Sequence, residues 1–216
     1  MKKIMFDDKY GLTKAVLEGR KTMTRRVIKA PRTMEGKDVY GFSVVKYPRT
    51  VPIEVMALDA DGAQINNILP KYKPGEVVAV AQAYRDAINP LDWVNTLIYK
   101  NEPGWTNKMF VGADLMPHQI FINAVRIERL QDISDEDCLR EGIVKCNNTR
   151  GYFNGYAYDW CYDQYRDILA AQWFKTPREA FAALIDKISG KGTWESNPWV
   201  FVYEFECVKL PKEDEQ

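Results

Sequence analysis

One histidine and four scattered cysteines are the clearest shortages in this 216-residue chain. Cys138, Cys146, Cys161 and Cys207 form no Cys-x-x-Cys pair and His118 is the only imidazole, so a zinc site of ordinary ligand spacing has nothing to draw on and no metal is expected. The same scarcity works against Ser/His or Cys/His nucleophilic catalysis, because His118, beside Pro117, would be the sole base; a structural or surface place suits it better. Net charge is missing as well. The 30 basic residues are matched by 30 acidic ones, which excludes a uniform positive coat for sequence-independent duplex binding, so any nucleic-acid contact must be local. No stretch approaches the roughly 20 apolar residues of a membrane span, and residues 1 to 30 hold no signal-peptide run, so a cytoplasmic protein without a membrane partner is expected. No Gly-rich strand-to-helix phosphate loop is present, which disfavours a Rossmann or P-loop enzyme, and no cofactor is expected.

Against these absences stands one concentrated feature. Gly19-Arg20-Lys21-Thr22-Met23-Thr24-Arg25-Arg26 packs four cations and two hydroxyls into eight residues, and no acid lies between Gly19 and Met34. Such a segment holds a local positive potential despite a formal net charge of +0 and points to an anionic ligand, nucleic acid or nucleotide first.

The surrounding pattern is of short elements. Leu12, Val16 and Leu17 share a helical face opposite Lys14 and Glu18, and Gly19 sits where a left-handed C-terminal cap belongs. Lys21 to Ile28 reads as a strand with Thr22, Thr24 and Arg26 on one face and Met23, Arg25 and Val27 on the other. Tyr40 to Tyr47 and Pro52 to Leu58 read as a hairpin-like excursion, and Lys73-Pro74-Gly75-Glu76 as a turn before a buried strand at Val77 to Ala81. Gln119 to Leu130 is a strand with a register change near Ala124. Ser134 and Asp137 open a helix in which Leu139 supplies an apolar contact and which Gly142 ends. Residues 147 to 166, rich in aromatics such as Tyr152, Phe153, Tyr156, Trp160, Tyr162 and Tyr165, read as a loop packed by its own rings. Thr176-Pro177-Arg178-Glu179 starts a helix with an apolar stripe of Phe181, Leu184, Ile185 and Ile188, closed by Gly190. Trp199 to Cys207 alternates as a half-buried strand, and 209–216 reads as a charged, disordered tail. With 46% hydrophobic residues the chain can bury a sizeable core, and this order of elements suggests an α+β fold built on a small, curved mixed barrel.

Several of these segments, taken in order, resemble the ASCH domain. They are Gly19 to Arg26 after its helix, Lys73 to Glu76 before a buried strand, Arg129-Leu130-Gln131-Asp132-Ile133-Ser134 leading to Glu141-Gly142-Ile143, and Asn197-Pro198-Trp199-Val200-Phe201-Val202-Tyr203-Glu204-Phe205. Gly190 to Val200 is similar to the Gly-Lys-Gly-Ser/Thr-Trp-Glu-x-Asn-Pro-Trp-Val run of bacterial and phage-associated members. The resemblance covers about half of the chain. It implies a PUA-like fold, a small mixed β-barrel with flanking helices in one domain over 1–208, with insertions at about 30–70 and 146–175. Where phage-type members carry Trp-Val-Arg-Glu and Met-Pro-Arg, this chain has Ala79-Val80-Ala81-Gln82 and Met116-Pro117-His118, so charge is lost from the cleft.

Three functions are open. A binding module would use Arg20, Lys21, Thr22, Arg25 and Arg26, with His118, against phosphates and base edges, and Tyr84 or Trp199 to stack a base, with RNA or a nucleotide as partner. Similarity to small ASCH proteins that look like amidohydrolases of N4-acetylated cytidine implies instead Lys21 as base, Thr24 as nucleophile and Glu141 as proton shuttle. A phage-derived interaction protein that keeps the barrel without catalysis is the third.

Overall fold

The computed structural model describes residues 1–45, 54–89, 91–147, 154–158 and 173–208. Strand β1 (Lys3–Ile4) leads into helix α1 (Leu12–Leu17) and strand β2 (Met23–Val27). Gly19 ends α1 at φ 74° and lets the amides of Arg20 and Lys21 both reach back to the Ala15 carbonyl at 2.9 Å, which turns the chain sharply into β2. A short hairpin, β3 (Thr33–Met34) with β4 (Lys37–Asp38), precedes an antiparallel three-stranded sheet of β5 (Gly41–Val45), β6 (Glu54–Leu58) and β7 (Gln64–Asn67). The excursion expected around 40–58 is therefore a sheet of its own, with a third strand that the sequence reading did not include.

Strand β8 (Val77–Val80), buried from Val78 onward, follows the Pro74–Gly75 turn. Two short helices, α2 (Tyr84–Ala87) and α3 (Trp93–Tyr99), occupy the stretch before β9 (Gln119–Arg129), and α3 buries none of its residues. Helix α4 (Asp135–Arg140) starts at Ser134, whose Oγ accepts from the Asp137 amide at 3.1 Å. Leu139, expected as an apolar contact of this helix, is instead 40% exposed. Strands β10 (Ile143–Asn147) and β11 (Asn154–Tyr158) pair antiparallel, so part of the segment read as an aromatic loop is a strand. Tyr152, Phe153, Trp160, Tyr162, Tyr165 and the 209–216 tail lie outside the described residues.

Helix α5 (Pro177–Ser189) begins as its sequence suggests: the Thr176 hydroxyl accepts from the Glu179 amide at 3.1 Å and Pro177 takes the first helical position. It buries Phe181, Leu184 and Ile185, each contributing about 1.5–3 kcal/mol, and packs against α4, β10 and β11. Ile188 departs from the expected stripe; it lies near the helix end and is 36% exposed. After α6 (Thr193–Ser196) the chain closes on β12 (Trp199–Val208), the clearest strand in the sequence.

The main sheet runs β1-β8-β9-β12-β2, with β1 and β8 parallel and the other neighbours antiparallel. Glu204 pairs with Ala124 but Phe205 pairs with Ile122, so Asn123 is an extra residue in the ladder, at the register change expected near Ala124. The fold is thus mixed α+β. Among the described residues the pairing leaves β1 and β2 as the two sheet edges, and a side chain bridges them: Arg26 Nη2, from β2, donates to the Met5 carbonyl just past β1 at 2.6 Å. No described helix is long and apolar enough to cross a membrane.

Candidate functional site

Two helix ends meet beside β2. Where α1 turns at Gly19, the Thr22 amide donates to the Arg140 carbonyl at 2.9 Å and so docks this corner on the last turn of α4. Lys21, one residue earlier, is thereby aimed at the next residue of that turn. Its Nζ donates to Glu141 Oε2 at 2.6 Å and to the Glu141 backbone carbonyl at 2.7 Å. A lysine at the C-terminal end of a helix also answers the partial negative charge of the unsatisfied carbonyls there. Gly142, at φ 104°, lets the chain leave α4 with Leu12 and Lys21 packed close by.

The pair is nearly sealed, with side-chain exposures of 2% for Lys21 and 5% for Glu141. Burial pushes the Lys21 ammonium below its ordinary pKa, opposed by the Glu141 carboxylate and helped by the charges of Arg26 and Arg25. The second carboxylate oxygen of Glu141 accepts from Arg25 Nη1 at 3.1 Å.

Arg25 in turn belongs to a larger ion-pair network. Its Nη2 lies 2.7 Å from Glu128 Oε1 and 2.8 Å from Asp137 Oδ2. Asp137 Oδ2 also takes Arg126 Nη2 at 2.6 Å; Arg126 reaches Glu204, and Arg140 joins Glu204 at 2.9 Å. Burial works against the Arg25 charge, but Glu141, Glu128 and Asp137 together raise its pKa above the ordinary arginine value. Arg25 and Arg126 flank Val202 in one cross-strand row of β2, β12 and β9, which explains why one aspartate can bridge both. The sequence reading weighed Glu141 and Glu204 as acids for the arginines but missed Glu128, Asp137, Arg126 and Arg140. Only the i, i+2 spacing of Arg126 and Glu128, which puts both on one strand face, was visible beforehand.

Lys21, Thr24, Arg26 and Glu141 line a cavity of about 80 Å³ walled by Phe6 and by Phe181 and Leu184 of α5. Thr24 is buried, and its hydroxyl makes no hydrogen bond among the described residues. The three residues singled out for amide chemistry therefore line one cavity: Lys21 and Glu141 touch, and Thr24 makes no hydrogen bond to Lys21.

The residues expected to form a basic binding cleft are not gathered in the same way. Arg20 pairs with Glu18 at 2.6 Å, Arg25 is committed to three acids, and Thr22 accepts from Arg140 Nε at 3.3 Å. Trp199 lies against the Arg129 guanidinium, 4.4 Å from ring centroid to carbon. Tyr84 is buried in a separate small core, its hydroxyl accepting from the Gly112 amide at 2.8 Å and its ring 4.7 Å from that of Tyr99. His118 is exposed and hydrogen-bonds through Nδ1 to Gln82 Oε1 at 2.8 Å. Of the expected cations, Lys21, Arg25 and Arg26 line the small cavity together with Thr24. Among the described residues no group of three or more His, Cys, Asp or Glu side chains is placed to hold a metal ion. Comparison with protein-family models, curated proteins and solved structures finds no match for this chain.

Proposed function

We propose that the protein is an amidohydrolase that removes an acyl group from the exocyclic nitrogen of a cytosine-like base, within a PUA-like domain of the ASCH type. The observation that carries this reading is the sealed Lys21–Glu141 pair beside the unpartnered Thr24 hydroxyl on one cavity. In a poorly solvated pair, moving the proton from the ammonium to the carboxylate leaves two neutral groups, so an amine base can arise at small electrostatic cost.

The Lys21 amine takes the Thr24 Oγ proton as the oxygen attacks the amide carbonyl carbon. The C–N bond breaks, Glu141 passes a proton to the leaving nitrogen, and the acyl group stays on Thr24 as an ester. Water, deprotonated by the same pair, attacks that ester; its C–O bond breaks, the acid departs, and the Thr24 hydroxyl is restored. The net reaction consumes one water per amide. At about 80 Å³ the cavity is well below the roughly 300–1,000 Å³ of pockets that enclose a drug-sized ligand, so it suits the acyl arm, with the base at its mouth.

A cleft that binds RNA through the Gly19–Arg26 segment has less support, because Arg20 and Arg25 are already ion-paired within the protein. Incubation with N4-acetylcytidine is the test. Release of acetate by the wild type is expected, with loss by at least about 100-fold in Thr24→Ala that keeps the wild-type unfolding transition and in Lys21→Ala assayed at a temperature where it is still folded. A wild type that releases no acetate from N4-acetylcytidine or from its 5′-monophosphate removes the proposal.

A further inference from the structure

A second, larger cavity adjoins the first. Its volume is about 380 Å³, and Arg26 and Val27 line both. It is lined by Lys3 of β1, by Arg26 and Lys29 at the end of β2, and by Leu69, Lys71 and Tyr72.

Its charge is what separates it from the rest of the molecule. Every charged side chain in its lining is a cation, and none of the four lies within ion-pairing distance of a carboxylate among the described residues. Lys3 Nζ donates only to the Met109 and Val111 carbonyls, at 2.7 and 2.8 Å. Arg26 donates to the Met5 carbonyl and stacks on Phe6 with its guanidinium carbon 5.8 Å from the ring centroid. Lys71 Nζ lies 5.3 Å above the Tyr72 ring, and Lys29 is exposed. Glu76, whose charge reaches Tyr72, is held by Lys2 at 2.9 Å. Elsewhere in this charge-balanced chain Arg25, Arg126 and Arg140 are each matched by acids, so the excess positive potential collects here.

A concavity of nucleotide size lined by four cations, in which the ammonium groups of Lys29 and Lys71 make no hydrogen bond among the described residues, fits a phosphate carried on a sugar. We propose that this cavity holds a phosphate of the same substrate whose acyl arm enters the Thr24 cavity, so that the substrate class is an acylated nucleotide or a nucleotide within a strand, not the free nucleoside. The inference rests on the hydrolase reading for its acyl end only. Arg26 is the shared wall, which puts the base between the two cavities.

Calorimetry separates the two claims, since binding requires no turnover. Cytidine, cytidine 5′-monophosphate and a cytidine trinucleotide with unphosphorylated ends are titrated against the wild type, Lys21→Ala and the double variants K29E/K71E and K29R/K71R. The monophosphate is expected to bind at least about tenfold more tightly than cytidine, with an advantage that shrinks as salt rises. K29E/K71E abolishes that advantage, and K29R/K71R and Lys21→Ala retain it. A gain for the monophosphate alone identifies a terminal phosphate; a gain for the trinucleotide as well identifies a phosphodiester. Equal affinity for cytidine and both phosphate-bearing ligands, or an advantage that survives charge reversal in K29E/K71E, overturns the proposal. If the advantage holds while N4-acetylcytidine and its 5′-monophosphate release no acetate, the phosphate site stands and the hydrolase reading falls.

Discussion

Arg25 donates to one carboxylate oxygen of Glu141 at 3.1 Å while Lys21 holds the other at 2.6 Å. A single buried carboxylate thus serves two cations, and neither cation can be removed without leaving charge exposed to a poor solvent.

The first expectation concerns stability. Lys21→Met leaves Glu141 with Arg25 alone, whereas Glu141→Leu leaves the buried ammonium facing two arginines; single changes of this kind cost about 3–5 kcal/mol. The double variant Lys21→Met/Glu141→Leu should be destabilised by less than the sum of the two. Urea unfolding of the four proteins measures this coupling, and strict additivity would show that the pair contributes nothing as a pair.

The second concerns pH. A base on Lys21 must be unprotonated, and burial holds its pKa below the ordinary 10.5. Because that proton sits on Glu141 in the working pair and is passed to the leaving nitrogen, the pair must keep one proton: the rate of acetate release should fall with pH along a limb whose midpoint lies below 10.5, and a rate that goes on rising through that range argues against the pair. Stability follows the opposite sign. The unfolded chain binds this proton more tightly than the folded one, so the Lys21 contribution is fully present above 10.5 and is lost as pH falls through the folded value.

Cys138 supplies the opposite limb. Burial pushes its thiol from the ordinary 9.0 up to about 12, so its contribution to stability is complete below pH 9.0 and is lost as pH rises toward 12. The same burial should keep it unreactive. Alkylation at pH 8 followed by peptide mapping is expected to label the exposed Cys207 and to reach Cys138 only after unfolding; early labelling of Cys138 would contradict its place in the core.

How much of this was written locally can be judged from particular residues. Gly19, Ser134 and Thr176 announce their helix ends because capping is a matter of one or two neighbours, and Trp199 to Cys207 shows its strand because alternation needs no partner. Lys21 and Thr24 stood out by their spacing and by family resemblance. Their convergence with Glu141 depends instead on a backbone hydrogen bond between Thr22 and Arg140, across more than a hundred residues, and nothing in either segment alone specifies it. Helices α2 and α3 had no buried stripe to reveal them, since α3 buries no side chain at all. The ion-pair network escaped notice because Arg25, Arg126 and Glu204 meet only through the register of three strands. The pairing of Arg20 and Arg25 was hidden for a related reason: a run of cations in sequence says nothing about which acids the fold will bring to them.

The extra residue at Asn123 governs that register. Upstream of it, Ile122 lies on the same sheet face as Phe205; downstream, Val125 and Ile127 share that face with Tyr203 and Phe201, and Arg126 and Glu128 fall on the opposite face with Arg25. Strand side chains alternate strictly, so if Asn123 were instead paired in a regular ladder, Arg126 and Glu128 would be driven in among Phe201 and Tyr203 while Val125 and Ile127 took their place opposite Arg25. Asn123 therefore acts as a phase switch: one unpaired backbone unit sorts the second half of the strand, sending its greasy residues one way and the counter-charges that shield the Lys21 corner the other.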